Sequence, residues 1–214
     1  MILHLLRKAG HHQPLIAERL LRVSPQGIES SVAAGPIRHV LIVPWSTLQK
    51  FTLRPGDLRE NVVVDDSGFP YPLHDLPSGT VLDVNGLRVR LTVHCEPCGR
   101  LAGVVKGLGS IKHQRGYLGS FLNSGTIRVG DHVRVLDKEY ETIPYDVRER
   151  IVWYLCQKSV PVEVSVLVRE IGLSMAYCRA IPNLTRGLDV GHMILYKKQQ
   201  TANSLSRAAS QTLT

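Results

Sequence analysis

Thr80-Val-Leu-Asp-Val-Asn85-Gly86-Leu-Arg-Val-Arg-Leu-Thr-Val93 carries the strongest structural signal in the chain. Asn-Gly between alternating apolar residues marks a hairpin, because a type I′ turn needs positive φ at both central positions. Leu87, Val89, Leu91 and Val93 fall on one face of the second strand, and Arg88, Arg90 and Thr92 on the other, as a half-buried strand requires. That strand delivers His94-Cys95-Glu96-Pro97-Cys98-Gly99-Arg100-Leu101 to its C-terminal end, where Pro97 and Gly99 predict a turn. A thiol pair on a loop held by a hairpin is the place to look for chemistry.

Upstream, Met1 to Lys8 reads as a strand, and Ala9-Gly10-His11-His12-Gln13-Pro14 as a loop. Ala17 to Val23 reads as a strand or one helical turn, and Pro25-Gln26-Gly27 as a turn. Ile37 to Val43 is a buried strand ended by Pro44. Ser46 is positioned to cap a short helix, Thr47 to Phe51, followed by a turn around Pro55-Gly56. Arg59, Glu60 and Asn61 stand at the mouth of a strand, Val62 to Val64, and Asp65 to Ser78 reads as loop. Downstream of the thiols, Gly107 to Ser120 is glycine-rich and basic. Gly125 to Leu136 reads as two short strands around Gly130-Asp131. Many short strands with regular turn signals predict a mainly β protein, a β-barrel rather than a parallel sheet.

Near Asp137 the texture changes. Val147, Ile151, Tyr154 and Leu155 lie at helical spacing, with Arg148, Glu149 and Arg150 on the opposite side. Val162 to Ile171 predicts a second helix and Ser174 to Arg186 a third, shortened or kinked by Pro182. Helix, Gly172 turn and a helix bearing Arg179 and Arg186 outline a helix-turn-helix, with His192 to Lys198 as a wing strand. The expected organisation is a barrel over residues 1–137, a small winged-helix-like domain over 143–198, and a disordered tail over 199–214.

A hydrophobic content of 43% and a charged content of 21% are those of an ordinary globular protein. The longest apolar run, Val40 to Trp45, is too short to cross a bilayer, and the N-terminus lacks a secretory pattern. Four cysteines without an export signal argue against a disulfide framework and for a cytoplasmic protein. Cys156 and Cys178 read as small buried hydrophobes. A formal net charge of +8 fits an anionic partner, either a phosphorylated cofactor or nucleic acid.

Six motifs occur in one order: Arg7-Lys8-Ala9-Gly10-His11-His12-Gln13-Pro14, Arg38-His39-Val40-Leu41, Pro55-Gly56-Asp57-Leu58-Arg59-Glu60-Asn61, Cys95-Glu96-Pro97-Cys98-Gly99-Arg100-Leu101, Lys112-His113-Gln114-Arg115-Gly116 and Gly125-Thr126-Ile127-Arg128-Val129-Gly130-Asp131. Together they resemble the MOSC domain, the module at the C-terminus of molybdenum-cofactor sulfurases, over residues 1 to about 137. The resemblance implies a β-barrel-like fold, a family cysteine that maps onto Cys98, and handling of sulfur or of a molybdenum–pterin cofactor (molybdopterin). The chain departs from the family's usual Gly-Asp and histidine after Glu29, where it has Ser30-Ser31-Val32. Residues 143 to 198 resemble the helix-turn-helix domain of alkylguanine-DNA alkyltransferases. Val147 to Leu155 matches its first helix, and Arg179 its intercalating arginine. The acceptor cysteine is replaced at Val190-Gly191-His192-Met193, which argues against methyl transfer.

A cysteine that carries a persulfide or ligates molybdenum acts as thiolate, which nearby cations favour. Arg59, Arg100, Lys112 and Arg115 are the candidates, and the same charges suit a pterin phosphate. Cys98 is thus the expected reactive thiol and metal ligand, with Cys95 as an auxiliary thiol able to close a disulfide. Asn61 is expected to meet a pterin edge and Glu60 to orient an arginine. Two alternatives stand beside this: an unreactive loop thiol pair, and zinc on His94, Cys95 and Cys98. Arg179 and Arg186 are the expected phosphate contacts of a DNA-binding alternative. The expected partners are an anionic pterin-type ligand or sulfur donor and, second, DNA. No ATP site or hydrolase signature is found.

Overall fold

The computed structural model describes residues 1–10, 13–32 and 35–196. The His11-His12 pair, residues 197–198 of the expected wing and the expected tail lie outside the described residues. The chain divides into two compact units, Met1–Tyr145 and a second that begins at Asp146. No helix of the described residues is long and apolar enough to cross a membrane.

The first unit contains β1 (Ile2–Lys8), β2 (Leu15–Glu18), β3 (Leu20–Ser24), β4 (Gly27–Ile28), β5 (Val40–Pro44), α1 (Trp45–Lys50), β6 (Val62–Val64), β7 (Thr80–Val84), β8 (Leu87–His94), β9 (Tyr117–Phe121), β10 (Gly125–Arg128) and β11 (Arg134–Lys138). Eight strands form a mixed sheet in the order β11-β7-β8-β9-β5-β6-β1-β2, and β10-β3-β4 form a smaller one. The hairpin forms as predicted, with Asn85 at φ 52° and Gly86 at φ 87°, and Val84 opposite Leu87. Leu87, Val89, Leu91 and Val93 are buried. Thr92, on the other face, is buried too, because its hydroxyl reaches the carbonyls of Ile37 at 2.7 Å and Leu118 at 3.0 Å.

The predicted barrel is corrected. Among the described residues the eight-stranded ladder ends at β2 and β11, and no pairing joins them into a ring. The two strands expected around Gly130-Asp131 do not pair with each other: β10 joins β3, and β11 joins β7. Ile127 opposite Leu21 gives β10 a buried apolar partner on the small sheet. One pairing is parallel, β5 with β6, placing Ile42 opposite Val62. Both strands are buried throughout, the pattern parallel strands require, and α1 lies in the connection between them. The helix starts at Trp45 behind Pro44, and the Ser46 hydroxyl, the expected cap, bonds to Asp66 instead.

Asn61 joins three strands at the head of β6. Its backbone N–H donates to Leu41 and its carbonyl accepts from Leu6. Its side-chain Oδ1 accepts from Leu41 N–H at 3.1 Å and its Nδ2 donates to Leu6 carbonyl at 3.1 Å. The amide thus stitches β5 to β1 across the point where β6 has just begun.

The second unit holds α2 (Val147–Leu155), β12 (Val162–Glu163), α3 (Val164–Glu170), α4 (Ile181–Leu184) and β13 (Ile194–Leu195). Asp146 caps α2 by accepting from the Arg148 and Glu149 N–H groups. Arg150, expected on the solvent side, is 1% exposed and donates to the Ile171 carbonyl at 3.0 Å, just past the end of α3. A cation there satisfies a helix-terminal carbonyl. The winged helix is not shown. The expected third helix is split into a 3-10 turn, Met175–Arg179, and the four-residue α4 with Pro182 in its first turn. β13 pairs in parallel with β12. Cys156 is exposed at the end of α2 and Cys178 half-buried, neither fully enclosed as expected.

An Asn61→Ala protein is expected to lose roughly 2–6 kcal/mol in a urea titration. The change strands the Leu41 N–H and the Leu6 carbonyl, and each orphaned buried group costs about 1–3 kcal/mol.

Candidate functional site

The thiol loop leaves β8 at His94, and its first bond fixes it to the next strand: the Cys95 N–H donates to the Gly116 carbonyl at 2.9 Å. Residues 95–98 form neither turn nor bend; the expected turn arrives one step later, as a 3-10 turn over Gly99–Leu101. Cys98 has φ −138° and ψ 165°, fully extended. Cys95 is buried and Cys98 half-buried. Both thiols are free.

Arg115 holds the loop from behind. It is 3% exposed, and its Nη1 donates to the Glu96 carbonyl and, at 3.4 Å, to Cys98 Sγ. Its Nη2 donates to the Leu58 carbonyl at 3.3 Å. Its Nε is buried with no partner among the described residues. A guanidinium N–H directed at sulfur stabilises negative charge there.

The other expected site residues divide. Arg59, at φ 63°, donates to the Gln13 carbonyl at 2.9 Å. Burial and then Arg100 lower its guanidinium from the usual value, which places those two cations together. Arg100 and Lys112 are exposed. Glu60 is fully buried; its Oε1 accepts the Gly56 N–H, bracing the turn before it, and its Oε2 has no partner among the described residues. Burial, chiefly, holds its carboxyl above the usual range. Asn61 spends its amide on Leu41 and Leu6, so its structural role displaces the expected contact with a ligand edge.

Sequence reasoning missed Lys8 and Arg38 as site residues. The pleat sends Arg7 and Lys8 to opposite faces of β1. Arg7 pairs with Glu18 at 2.9 Å, while no hydrogen bond or ion pair of Lys8 Nζ is found among the described residues. Leu5 stands opposite Val62, so the end of β1 meets the entrance of β6, where Arg59 and Glu60 lie. Burial, Arg38, Arg115 and Arg59 push the Lys8 amine down to about 8, against an upward pull from Cys95. The available signal was two successive cations ending a strand, one of which must face inward.

A second group supports the loop on its other side. His94 Nε2 meets the His74 carbonyl at 3.0 Å, and His74 Nε2 meets Thr47 Oγ1 at 2.9 Å. The Thr47 hydroxyl donates to the Gln114 carbonyl at 3.2 Å, and Lys50 Nζ to Gln114 Oε1 at 2.7 Å. The residue preceding Arg115 is thus anchored to α1. His94 lies 5.8 Å from His113 and 4.4 Å from Tyr117 between ring centroids, and His113 packs on Tyr145 at 4.3 Å. Burial and then His94 push His74 down to about 4. Burial likewise lowers His94, despite its bond to the His74 carbonyl. Among the described residues no group of three or more His, Cys, Asp or Glu side chains is placed to hold a metal ion, so the zinc set of His94, Cys95 and Cys98 is not assembled.

In the second unit Arg179 is exposed. Arg186 donates to Asn183 Oδ1 at 2.9 Å, and its carbonyl accepts from Arg148.

Within this mostly β unit, residues 31–134 match the MOSC domain. The first of the six motifs lies upstream of that match. No curated protein matches the chain. Among solved structures, a hypothetical protein is similar at 14% identity and a TM-score of 0.54, over 89% of this chain and 93% of the other. The YuaD protein of Bacillus subtilis is similar at 18% identity and a TM-score of 0.52, over 62% and 94%. YiiM of Escherichia coli follows at 15% identity and a TM-score of 0.48, over 85% and 90%. At these identities the first two likenesses bear on the fold alone.

Folding holds His74 and His94 neutral, whereas the unfolded chain protonates them near 6.5. Proton uptake on unfolding therefore makes stability fall as pH drops from about 6.5 towards 4. Urea midpoints across that window should decline in the wild type and less steeply in His74→Gln.

Proposed function

We propose that the first unit binds an anionic, molybdenum–pterin-type ligand beside Cys98, and that Cys98 is the thiol that carries sulfur or ligates the metal. The observation that supports this most is a gathering of positive charge. Arg38, Arg115 and Arg59 each act on Lys8, Arg115 is buried, and Glu60 is the carboxyl that acts on Lys8 and Arg59. Burying like charges together is costly unless an anion joins them. The unpartnered Arg115 Nε adds a donor awaiting an acceptor. These residues fit a phosphorylated pterin: Lys8, Arg38 and Arg59 would hold its anionic end, and Cys98 would meet the metal. When bound, such a cofactor supplies oxygen- or sulfur-transfer chemistry at molybdenum.

For sulfur carriage the step balances on this chain alone with a persulfide donor. The Cys98 thiolate attacks the terminal sulfur of R–S–SH, a Cys98 persulfide forms, and R–S⁻ leaves and takes up the proton. Arg115, bonded to Sγ, stabilises charge on the attacking sulfur. The half-buried position of Cys98 admits the donor, and the buried Cys95 stays out of the exchange.

A DNA-binding role comes second. It rests on Arg179 and the formal charge of +8, and its recognition helix is broken.

Intact-mass analysis after incubation with a persulfide donor should show a gain of one sulfur in the wild type that is lost in Cys98→Ser and reduced in Arg115→Gln. Equal gain in Cys98→Ser would remove Cys98 from the proposal. A mobility-shift titration at low salt addresses the second reading, and no shift would end it.

A further inference from the structure

Three hydrogen bonds run in one direction from the thiol strand to the peptide that precedes Arg115. The first joins His94 Nε2 to the His74 carbonyl at 3.0 Å; a carbonyl only accepts, so that ring nitrogen carries the proton. The Thr47 hydroxyl gives its single proton to the Gln114 carbonyl at 3.2 Å. It therefore accepts from His74 Nε2, 2.9 Å away, which fixes the tautomer of that ring as well. His74 Nδ1 is left as a bare lone pair, buried and without a partner among the described residues. A second proton there would have no acceptor. The ring is accordingly pushed down to about 4 by burial and then by His94, with Lys50 adding to them and Asp66 and Asp75 opposing. His74 thus stays neutral across the ordinary pH range, and the relay is a fixed brace and not a pH switch.

The relay ends at the sulfur. The Gln114 carbonyl and the Arg115 N–H belong to one peptide plane, so the Thr47 hydroxyl fixes the backbone from which the guanidinium extends. Lys50 Nζ holds the Gln114 side chain at 2.7 Å. On the far side of Arg115, the Gly116 carbonyl accepts from the Cys95 N–H at 2.9 Å. A Cβ at Gly116 would meet the Ile42 carbonyl at 2.5 Å, so β5 backs this stretch closely. From that held backbone Arg115 Nη1 reaches Cys98 Sγ at 3.4 Å. We propose that Thr47 and His74 are positioning residues for Cys98: through the Gln114 peptide they keep Arg115 on the sulfur, so that the reactivity of the thiol is set from α1. The proposal rests on the reading of Cys98 as the reactive thiol and says what regulates it. A cysteine reacts as thiolate, and a guanidinium N–H on sulfur favours that form. Neither Thr47 nor His74 is bonded to the sulfur; both act through Arg115. Hydrogen bonds aligned donor to acceptor strengthen one another. The Thr47 hydroxyl is both donor and acceptor, so its removal breaks the relay at the centre.

The test is competitive labelling of the full chain with iodoacetamide at pH 7, followed by peptide mapping, with the exposed Cys156 as internal reference. Thr47→Val keeps the side-chain shape and loses the hydroxyl. In that variant we expect Cys98 to be labelled about three- to tenfold more slowly relative to Cys156, while the buried Cys95 stays protected. Thr47→Ser should restore the wild-type rate, and His74→Phe should slow Cys98 in the same sense. Adding Thr47→Val to Arg115→Gln should slow it no further than Arg115→Gln alone. A role confined to stability gives the opposite sign, because a loosened loop exposes both thiols and speeds both. An unchanged Cys98 rate in a Thr47→Val protein that is folded by circular dichroism overturns the proposal, as does joint acceleration of Cys95 and Cys98. If Thr47→Val does not fold, Lys50→Met removes the exposed bond to Gln114, and the same two results decide. Loading with a persulfide donor separates the brace from the sulfur-carrier reading. Sulfur gained on Cys98 at equal rates in wild type and Thr47→Val leaves the carrier and overturns the brace. Slower labelling in Thr47→Val, with no sulfur gained by the wild type, leaves the brace and overturns the carrier.

Discussion

A guanidinium that is almost wholly withdrawn from water needs fixed acceptors, and the Arg115 Nη atoms find three of them on two pieces of chain. The Glu96 carbonyl and the Cys98 sulfur belong to the thiol loop, and the Leu58 carbonyl to the turn before β6. Removing any one acceptor would leave a buried charge partly unsatisfied, which is far more costly than losing an ordinary surface contact. The position of the sulfur is therefore set less by the hairpin that delivers it than by the arginine that receives it. Arg115 is fixed in turn by its neighbour: the Gln114 backbone and side chain are held by Thr47 and Lys50 of α1.

The sheet makes this arrangement possible. β9 lies between β8, which carries the thiols, and β5, whose parallel partner β6 opens with Arg59, Glu60 and Asn61. Asn61 stitches β5 to β1 with its side-chain amide, which brings the end of β1, and Lys8 with it, to the entrance of β6. Motifs separated by tens of residues are thus carried on five adjacent strands, and Arg115 ties the thiol loop to the turn before β6 through the Leu58 carbonyl. Beside the thiol loop, histidines and tyrosines pack in a chain from His74 to Tyr145. Burial lowers His74 and His94, because a neutral ring is buried at far less cost than a protonated one.

The second unit is held by different means. Arg150 is buried against the end of α3, and a small apolar core gathers Ile151, Leu155, Leu167, Val168 and Ile181. Its local order follows the sequence where a cap or a proline dictates it, as at Asp146 and Pro182. It departs where a cation turns inward.

What the sequence determined by itself was local. Asn85-Gly86 dictates positive φ and hence the hairpin. The alternation after it assigns the buried face, and Pro182 breaks a helix whatever surrounds it. The order of motifs about Cys98 was also legible, since it needs no geometry. What only the tertiary structure decided was pairing and partnership. Nothing local tells β10 to pair with β3 rather than β11, or leaves the sheet open where a barrel was expected, because strand pairing depends on which apolar faces remain to be covered. Nor does spacing reveal that Asn61 is spent on backbone, that Cys98 receives a bond from Arg115, or that Arg7 pairs with Glu18. Hydrogen-bond satisfaction and burial of charge are properties of the assembled molecule, and the residues that settle them lie far apart along the chain.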